Sequence, residues 1–166
     1  MSDSLTTLIG KVQALLLDDG TRFTTATITA AVRQALKEFN LRAPVYTETL
    51  EAVVANQKEY VLSSVDYNNL IEILDVLLWD VDGNDDEPLV YDEYFEDAVP
   101  VIRLREARTD TSEFLVVRYT LPYTVNGLDG EVESTLPAFW VTTLLNGACY
   151  YACLIRAAGR VETVLE

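Results

Sequence analysis

The sequence contains no histidine. That removes the commonest general base, the commonest metal ligand and the physiological-pH switch together. It has two cysteines, Cys149 and Cys153, four residues apart. On a helix they share a face, but their side chains run parallel, which is poor disulfide geometry. A zinc site would need two more soft ligands, and none exists. Small core residues is the reading for both, in a reducing compartment. Serines 4, 63, 64, 112 and 134 sit in no nucleophile elbow, and no Gly-rich phosphate loop is present. These absences argue against an enzyme, and they imply no cofactor and no metal.

Positive charge is also scarce. Twelve Lys and Arg stand against 27 Asp and Glu in 166 residues, a formal charge of −15. Such a surface repels nucleic acid, so a DNA- or RNA-reading role is not expected. A protein that surrounds DNA without sticking to it remains compatible with the charge.

What the chain does have is a long apolar run near its end, Ser134 to Gly159. Ser134 and Thr135 read as capping hydroxyls, Pro137 as a first-turn residue and Gly159 as a left-handed stop. Between them Phe139, Val141, Leu144, Leu145, Ala148, Ala152, Leu154 and Ile155 leave almost no polar face. A helix apolar nearly all round is expected to be buried on several sides, by this chain, by other copies, or by both. Phe139 and Trp140 read as core. Tyr150 and Tyr151 point about 100° apart, so one of them is expected at a subunit contact. Asn146, Thr142 and Thr143 interrupt the run and Arg156 closes it, so no membrane span is expected.

The chain opens on helical spacing. Asp3 or Ser4 caps a stripe of Leu5, Leu8, Ile9, Val12, Leu15 and Leu16, ended by Asp18-Asp19-Gly20. Thr24 or Thr25 caps a second helix with Ile28, Ala31, Val32, Ala35, Leu36 and Phe39 on one face. The pair is an αα-hairpin. From Val45 the pattern changes to strands and turns. Tyr46–Val54 and a return strand Lys58–Leu62 come first. Leu70–Val81 follows as a strand or short buried helix, with Ile71, Ile73, Leu77 and Trp79 on one face. After Pro88–Tyr91, a helical turn is expected over Tyr91–Ala98, then strands over Val101–Ala107 and Glu113–Leu121. The fold class is therefore α+β. A helical body (1–44 and 134–159) carries a β-rich insertion (45–133), in a single domain ending in a tail (160–166).

Nine acidic residues, Asp80, Asp82, Asp85, Asp86, Glu87, Asp92, Glu93, Glu96 and Asp97, fall within eighteen positions. The stretch from Asp80 resembles a calcium loop. It fails at position six, where Asp85 replaces the turn glycine, and at position twelve, where Tyr91 replaces the bidentate Glu. An acidic hairpin, Asp80, Asp82, Asp85, Asp86 and Glu87, solvated or used for docking, is the better reading. The tail, with Arg160, Val161, Val164, Leu165 and Glu166, is either a frayed terminus or an arm that adds to a partner.

The order of these elements resembles the head-to-tail adaptor (connector) proteins of tailed bacteriophages. The similarity is carried by LTTLIGKVQALLLDDGTRFT leading into ITAAVRQALKEF, by Glu59-Tyr60-Val61-Leu62 and Leu70-Ile71-Glu72-Ile73, by Val116-Val117-Arg118-Tyr119 with Leu121-Pro122, and by LPAFWVTTLLNGACYYACLIRA. The acidic hairpin departs from that pattern. The resemblance implies a non-enzymatic virion protein at the head–tail interface, made in the host cytoplasm. It would bind the portal as a homo-oligomeric ring, a dodecamer, extend the DNA channel without specific DNA binding, and carry a stopper or tail protein. The residues of the tail would meet the portal. A small acidic binding module or nucleic-acid mimic that captures a basic partner, or another tail-completion protein, are the competing readings.

Overall fold

The computed structural model describes residues 3–62, 70–79, 87–97 and 99–164; of residues 161–164 only the helical backbone is described. Among the described residues, three α-helices and two antiparallel sheets make a mixed α+β protein. The chain divides into two compact units, Met1–Pro44 with Tyr123–Glu166, and Val45–Pro122.

The first unit is helical. Helix α1 (Leu5–Leu15) is capped by Ser4, whose side chain accepts from the Thr7 amide, and it buries Leu8 and Val12. Gly10 is exposed with open space around it, so it serves no close helix approach. The turn that follows is held by Asp18, whose carboxylate accepts from the amides of Arg22 (3.0 Å) and Phe23 (2.8 Å). Gly20, at φ +91°, supplies the left-handed step there. Helix α2 (Thr25–Arg42) is capped by Thr24 and buries Ile28, Ala31, Val32, Ala35 and Leu36, the stripe its spacing sets out. Helix α3 (Val141–Val164) lays Val141, Leu144, Leu145, Ala148 and Ala152 into the same core. Gly147 lets it approach α2 closely: a β-carbon there would lie 3.2 Å from that of Ala35.

Residues 123–133, read from sequence with the insertion, pack with the helices instead. Val125 and Leu128, followed by Leu136, belong to the helical core. Asn40 of α2 donates to the Tyr123 carbonyl (3.1 Å) and accepts from its amide (2.9 Å). The backbone amide of Leu5 donates to the Asn126 carbonyl at 2.8 Å. Ser134 is a latch rather than a cap. Its Oγ accepts from the Asn126 amide (2.8 Å) and donates to the Asp3 carbonyl (2.7 Å). Pro137 also stands outside the first helical turn. At φ −62°, ψ 146° it is extended and precedes a single 3-10 turn, Ala138–Trp140.

Two further expectations for α3 do not hold. Gly159 does not end it, because the helix continues to Val164. Glycine is a stop only where the chain needs positive φ, and Gly159 is absent from the positive-φ set. Nor is α3 buried on several sides within this chain. Its buried positions form one stripe, while Tyr150, Cys153, Leu154, Ile155, Ala157 and Ala158 are exposed. Phe139, read as core, is 74% exposed.

The second unit has two sheets. One runs in the order β1 (Val45–Ala52), β7 (Phe114–Leu121), β3 (Glu72–Trp79), β4 (Glu87–Pro88). The other runs β2 (Glu59–Val61), β6 (Val99–Leu104), β5 (Tyr91–Glu96). Both sheets feed one core of Val53, Tyr60, Leu62, Ile73, Val76, Leu78, Ile102, Leu104, Leu115, Val117 and Tyr119. Three sequence expectations are corrected here. The return strand β2 pairs with β6, not with β1. Tyr91–Glu96 is a strand, not a helical turn, because β6 supplies a full antiparallel partner from Leu104 to Val99. On β3 the register shifts between Ile73 and Asp75, so the core face passes from Ile73 to Val76 and Leu78. Trp79 is thereby left outside, at 36% exposure, while Ile71, just before the strand begins, is 40% exposed.

Candidate assembly surfaces

The helical unit leaves apolar side chains uncovered along α3. Buried Leu144, Ala148 and Ala152 lie on one side, and successive steps of 100° place Tyr150, Leu154 and Ala157 on the other. Tyr150 is 60% exposed and Leu154 45%. Tyr151, by contrast, packs against the helical core, so one of the adjacent pair faces in and one out. Their rings still meet edge to face at a centroid distance of 5.2 Å, which props Tyr150 outward. By length and composition alone, Ala138–Arg160 is long and apolar enough to cross a bilayer.

Between α2 and α3 lies an apolar groove of about 380 Å³ walled by Phe39, Trp140 and Tyr151 and floored by Ala35 and Gly147. Phe39 contacts both Trp140 (5.2 Å) and Tyr123 (5.7 Å). Phe39 and Trp140, read from sequence as core, are partly buried and pack against the helical core while also lining this groove. The signal was present in the spacing of Trp140, Gly147 and Tyr151, where a glycine sits between large rings on neighbouring turns of one face.

Cys149 is half-buried and Cys153 exposed, and both are free thiols. Burial, and then the neighbouring Cys153, push the Cys149 thiol above its ordinary value. Cys153 is therefore not the core residue expected from its spacing. Among the described residues, no group of three Cys, Asp or Glu could hold a metal ion.

Of the acidic hairpin, Asp80, Asp82, Asp85 and Asp86 lie outside the described residues. Glu87 opens β4 and pairs with Arg108, Nη2 to Oε1 at 3.1 Å. Asp92, Glu93, Glu96 and Asp97 are all exposed on or beside β5, the edge strand of its sheet. Phe95 between them is 61% exposed. Tyr91 and Tyr94 of the same strand have phenol pKa values raised first by burial and then by nearby carboxylates, Glu93 for Tyr91 and Glu59 for Tyr94.

Part of the tail continues α3. Arg160 is exposed on α3, and Val161 and Val164 continue that helix; Leu165 and Glu166 lie outside the described residues.

No protein-family profile matches the chain, and no curated protein matches it in sequence. Among solved structures it is similar to a chain in the neck of an empty GTA particle computed with C6 symmetry. That match has 13% identity over 86% of this chain and 75% of the other, with a TM-score of 0.37. A second similarity is to a chain in the virion of a native gene transfer agent (GTA) particle, at 14% identity over 77% of this chain and 66% of the other, with a TM-score of 0.36.

Proposed function

We propose that this chain is a structural virion protein of the head–tail interface, an adaptor that binds the portal as a ring. It extends the DNA channel and carries a stopper or tail protein. The observation that carries the reading is the open apolar face of α3. Tyr150 and Leu154 stand exposed on it in a chain with formal charge −15. Solubility favours polar groups at such positions, and apolar side chains kept there mark a surface that a partner covers. A ring of copies covers it repeatedly, and the remaining acidic surface suits a channel through which phosphates slide without binding. The order of helical hairpin, strand block and long helix, the basis of the resemblance, agrees with this role. In this reading Tyr150 lies at the contact between copies. The C-terminal tail residues Arg160, Val161, Val164, Leu165 and Glu166 meet the portal.

The test mixes the purified chain with the portal ring from the same source and follows mass by light scattering and shape by negative-stain microscopy. A stoichiometric collar on one end of the portal is expected. Removing residues 160–166 is expected to abolish the collar and leave the circular dichroism spectrum of the fold in place. A chain that stays monomeric beside the portal overturns the reading. If that monomer instead captures basic proteins through β5, whose Asp92, Glu93 and Glu96 are exposed, the acidic binding module replaces it.

A further inference from the structure

One face of the sheet β1-β7-β3-β4 stands outside the core of the strand unit. Paired residues on neighbouring strands, and alternate residues along one strand, share a face. Ile73, Val76, Leu78, Leu115 and Val117 point into the core. The register sets the opposite face out in rows. Leu50 of β1, Val116 of β7 and Leu77 of β3 form one row, and Phe114 and Trp79 form the row beside it. Val116 and Leu77 are buried, yet they belong to neither core. Leu50, Phe114 and Trp79 around them are exposed. The solvated face of an antiparallel sheet is ordinarily polar, and here two adjacent rows are apolar.

The row on the other side of Leu50, Val116 and Leu77 is charged. Arg118 stands there between Glu48 at 3.7 Å and Asp75 at 4.0 Å, with all three side chains partly open to solvent. Glu72, opposite Thr120, follows on the same face and is exposed. Three carboxylates therefore stand to one guanidinium along the border of the apolar rows. An exposed apolar patch with a polar border marks a protein–protein contact, and tryptophan is prominent among the side chains that carry binding energy there. The sign of the border selects the partner, because potentials complement one another across an interface. Lysine or arginine answers the surplus carboxylates. A second copy would bring the same surplus against it, on a chain of formal charge −15.

We infer that this open sheet face docks a segment of a different protein, one that carries large apolar side chains beside Lys or Arg. The apolar part seats on Leu50, Phe114 and Trp79, and the cations meet Glu48 and Asp75. The border that admits such a partner turns away an acidic one, which gives the contact its specificity. The contact belongs to the strand unit alone, so it goes beyond the ring surface on α3 and stands without it.

Trp79 and Trp140 are the chain's two tryptophans, so Trp140→Phe leaves Trp79 as a reporter inside the face. The probes are two Trp-free amphipathic peptides with the same leucine face, one flanked by lysines and the other by glutamates. The lysine peptide is expected to shift Trp79 emission to the blue and to saturate, and the glutamate peptide to leave it unchanged. Leu50→Asp should weaken the lysine peptide by roughly tenfold or more. Glu48→Gln with Asp75→Asn, which keeps the shape of both side chains, should reduce the preference for lysine. Glu48→Lys with Asp75→Lys should pass the preference to the glutamate peptide, and a gained preference does not arise from misfolding. Absence of a shift with the lysine peptide, an equal shift with both peptides, or a shift indifferent to Leu50→Asp and to the charge changes overturns the inference. A blue shift that grows with the concentration of the chain alone, and is lost in Leu50→Asp, assigns the face to a second copy and overturns it as well.

Discussion

Arg33 of α2 and Asp129, ninety-six residues later, form a forked ion pair. Arg33 Nε lies 2.9 Å from each Asp129 carboxylate oxygen, and its Nη2 lies 2.5 Å from Oδ1. Asp129 makes this pair from a left-handed backbone, φ +55°, a conformation that aspartate and asparagine accept more readily than other non-glycine residues. The pair ties the loop that carries Val125 and Leu128 back onto α2.

The first prediction concerns acid. The hydrogen bonds from Arg33 hold the Asp129 carboxyl below its ordinary 3.8. A carboxylate with a lowered folded pKa adds stability above its unfolded pKa and loses it as pH falls through the folded value. Asp129→Asn keeps the left-handed preference and removes the charge. The wild type should be the more stable of the two by a constant margin between pH 7 and about pH 5, and the margin should shrink below pH 4. Urea titrations at several pH values measure it, and a margin that grows with acid contradicts the pairing.

Ser134→Ala tests the latch. Ser134 Oγ serves the Asn126 amide and the Asp3 carbonyl, which belong to distant parts of the chain. Losing both bonds is expected to cost about 1–3 kcal/mol, since each partner is left to find water or go without. Ser134→Thr retains the hydroxyl and should recover most of the loss. Equal losses for the two variants in thermal denaturation would remove the hydroxyl from the account.

Much of this fold was legible because local chemistry and packing agree. The Thr24 cap and the Ile28 to Leu36 stripe define α2 without reference to the rest of the chain, and they bury as spaced. Strand β3 was legible as a strand but not in its facing. The bulge after Ile73 depends on its partner β7, and a one-residue slip turns every later side chain over. Strand β5 was hidden for a related reason. Tyr91–Glu96 carries little apolar alternation, and only β6 makes it a strand. On α3 the composition showed how much apolar surface exists and not which part this chain covers itself. Tyr150 could be separated from Tyr151 by angle alone, whereas Phe139 could not, because its position depends on the 3-10 turn that precedes the helix. The contact of Arg156 with the Phe23 ring escaped because the two are 133 positions apart and meet only when the hairpin packs on α3.

The open face of α3 separates folding from assembly. Tyr150 and Leu154 are exposed and add little to the core of a single chain. Tyr150→Glu with Leu154→Glu should change the unfolding free energy by no more than about 0.5 kcal/mol, the usual range for surface substitutions. The same pair should abolish the portal collar, because a contact between copies would then bury two unpaired carboxylates. Sedimentation velocity and negative-stain images of the portal mixture report assembly, and urea titration reports folding. A collar formed normally by the doubly substituted chain removes this face from the ring contact.

Gly159 distinguishes a helix that continues from one that stops. A left-handed stop would make Gly159→Ala destabilising, since alanine pays for positive φ where glycine does not. The helix instead runs through Gly159 to Val164, and a β-carbon added there meets nothing within 4 Å. In an exposed helix interior the change from glycine to alanine gains about 0.8–1.0 kcal/mol. The last turns of α3 project beyond the buried stripe, so this gain should appear locally, as slower amide exchange over residues 155–162, with little change in global unfolding. Faster exchange in the alanine variant would restore the stop. It would also separate the tail from α3, and the portal contact would then have to be sought in an arm rather than in a helix end.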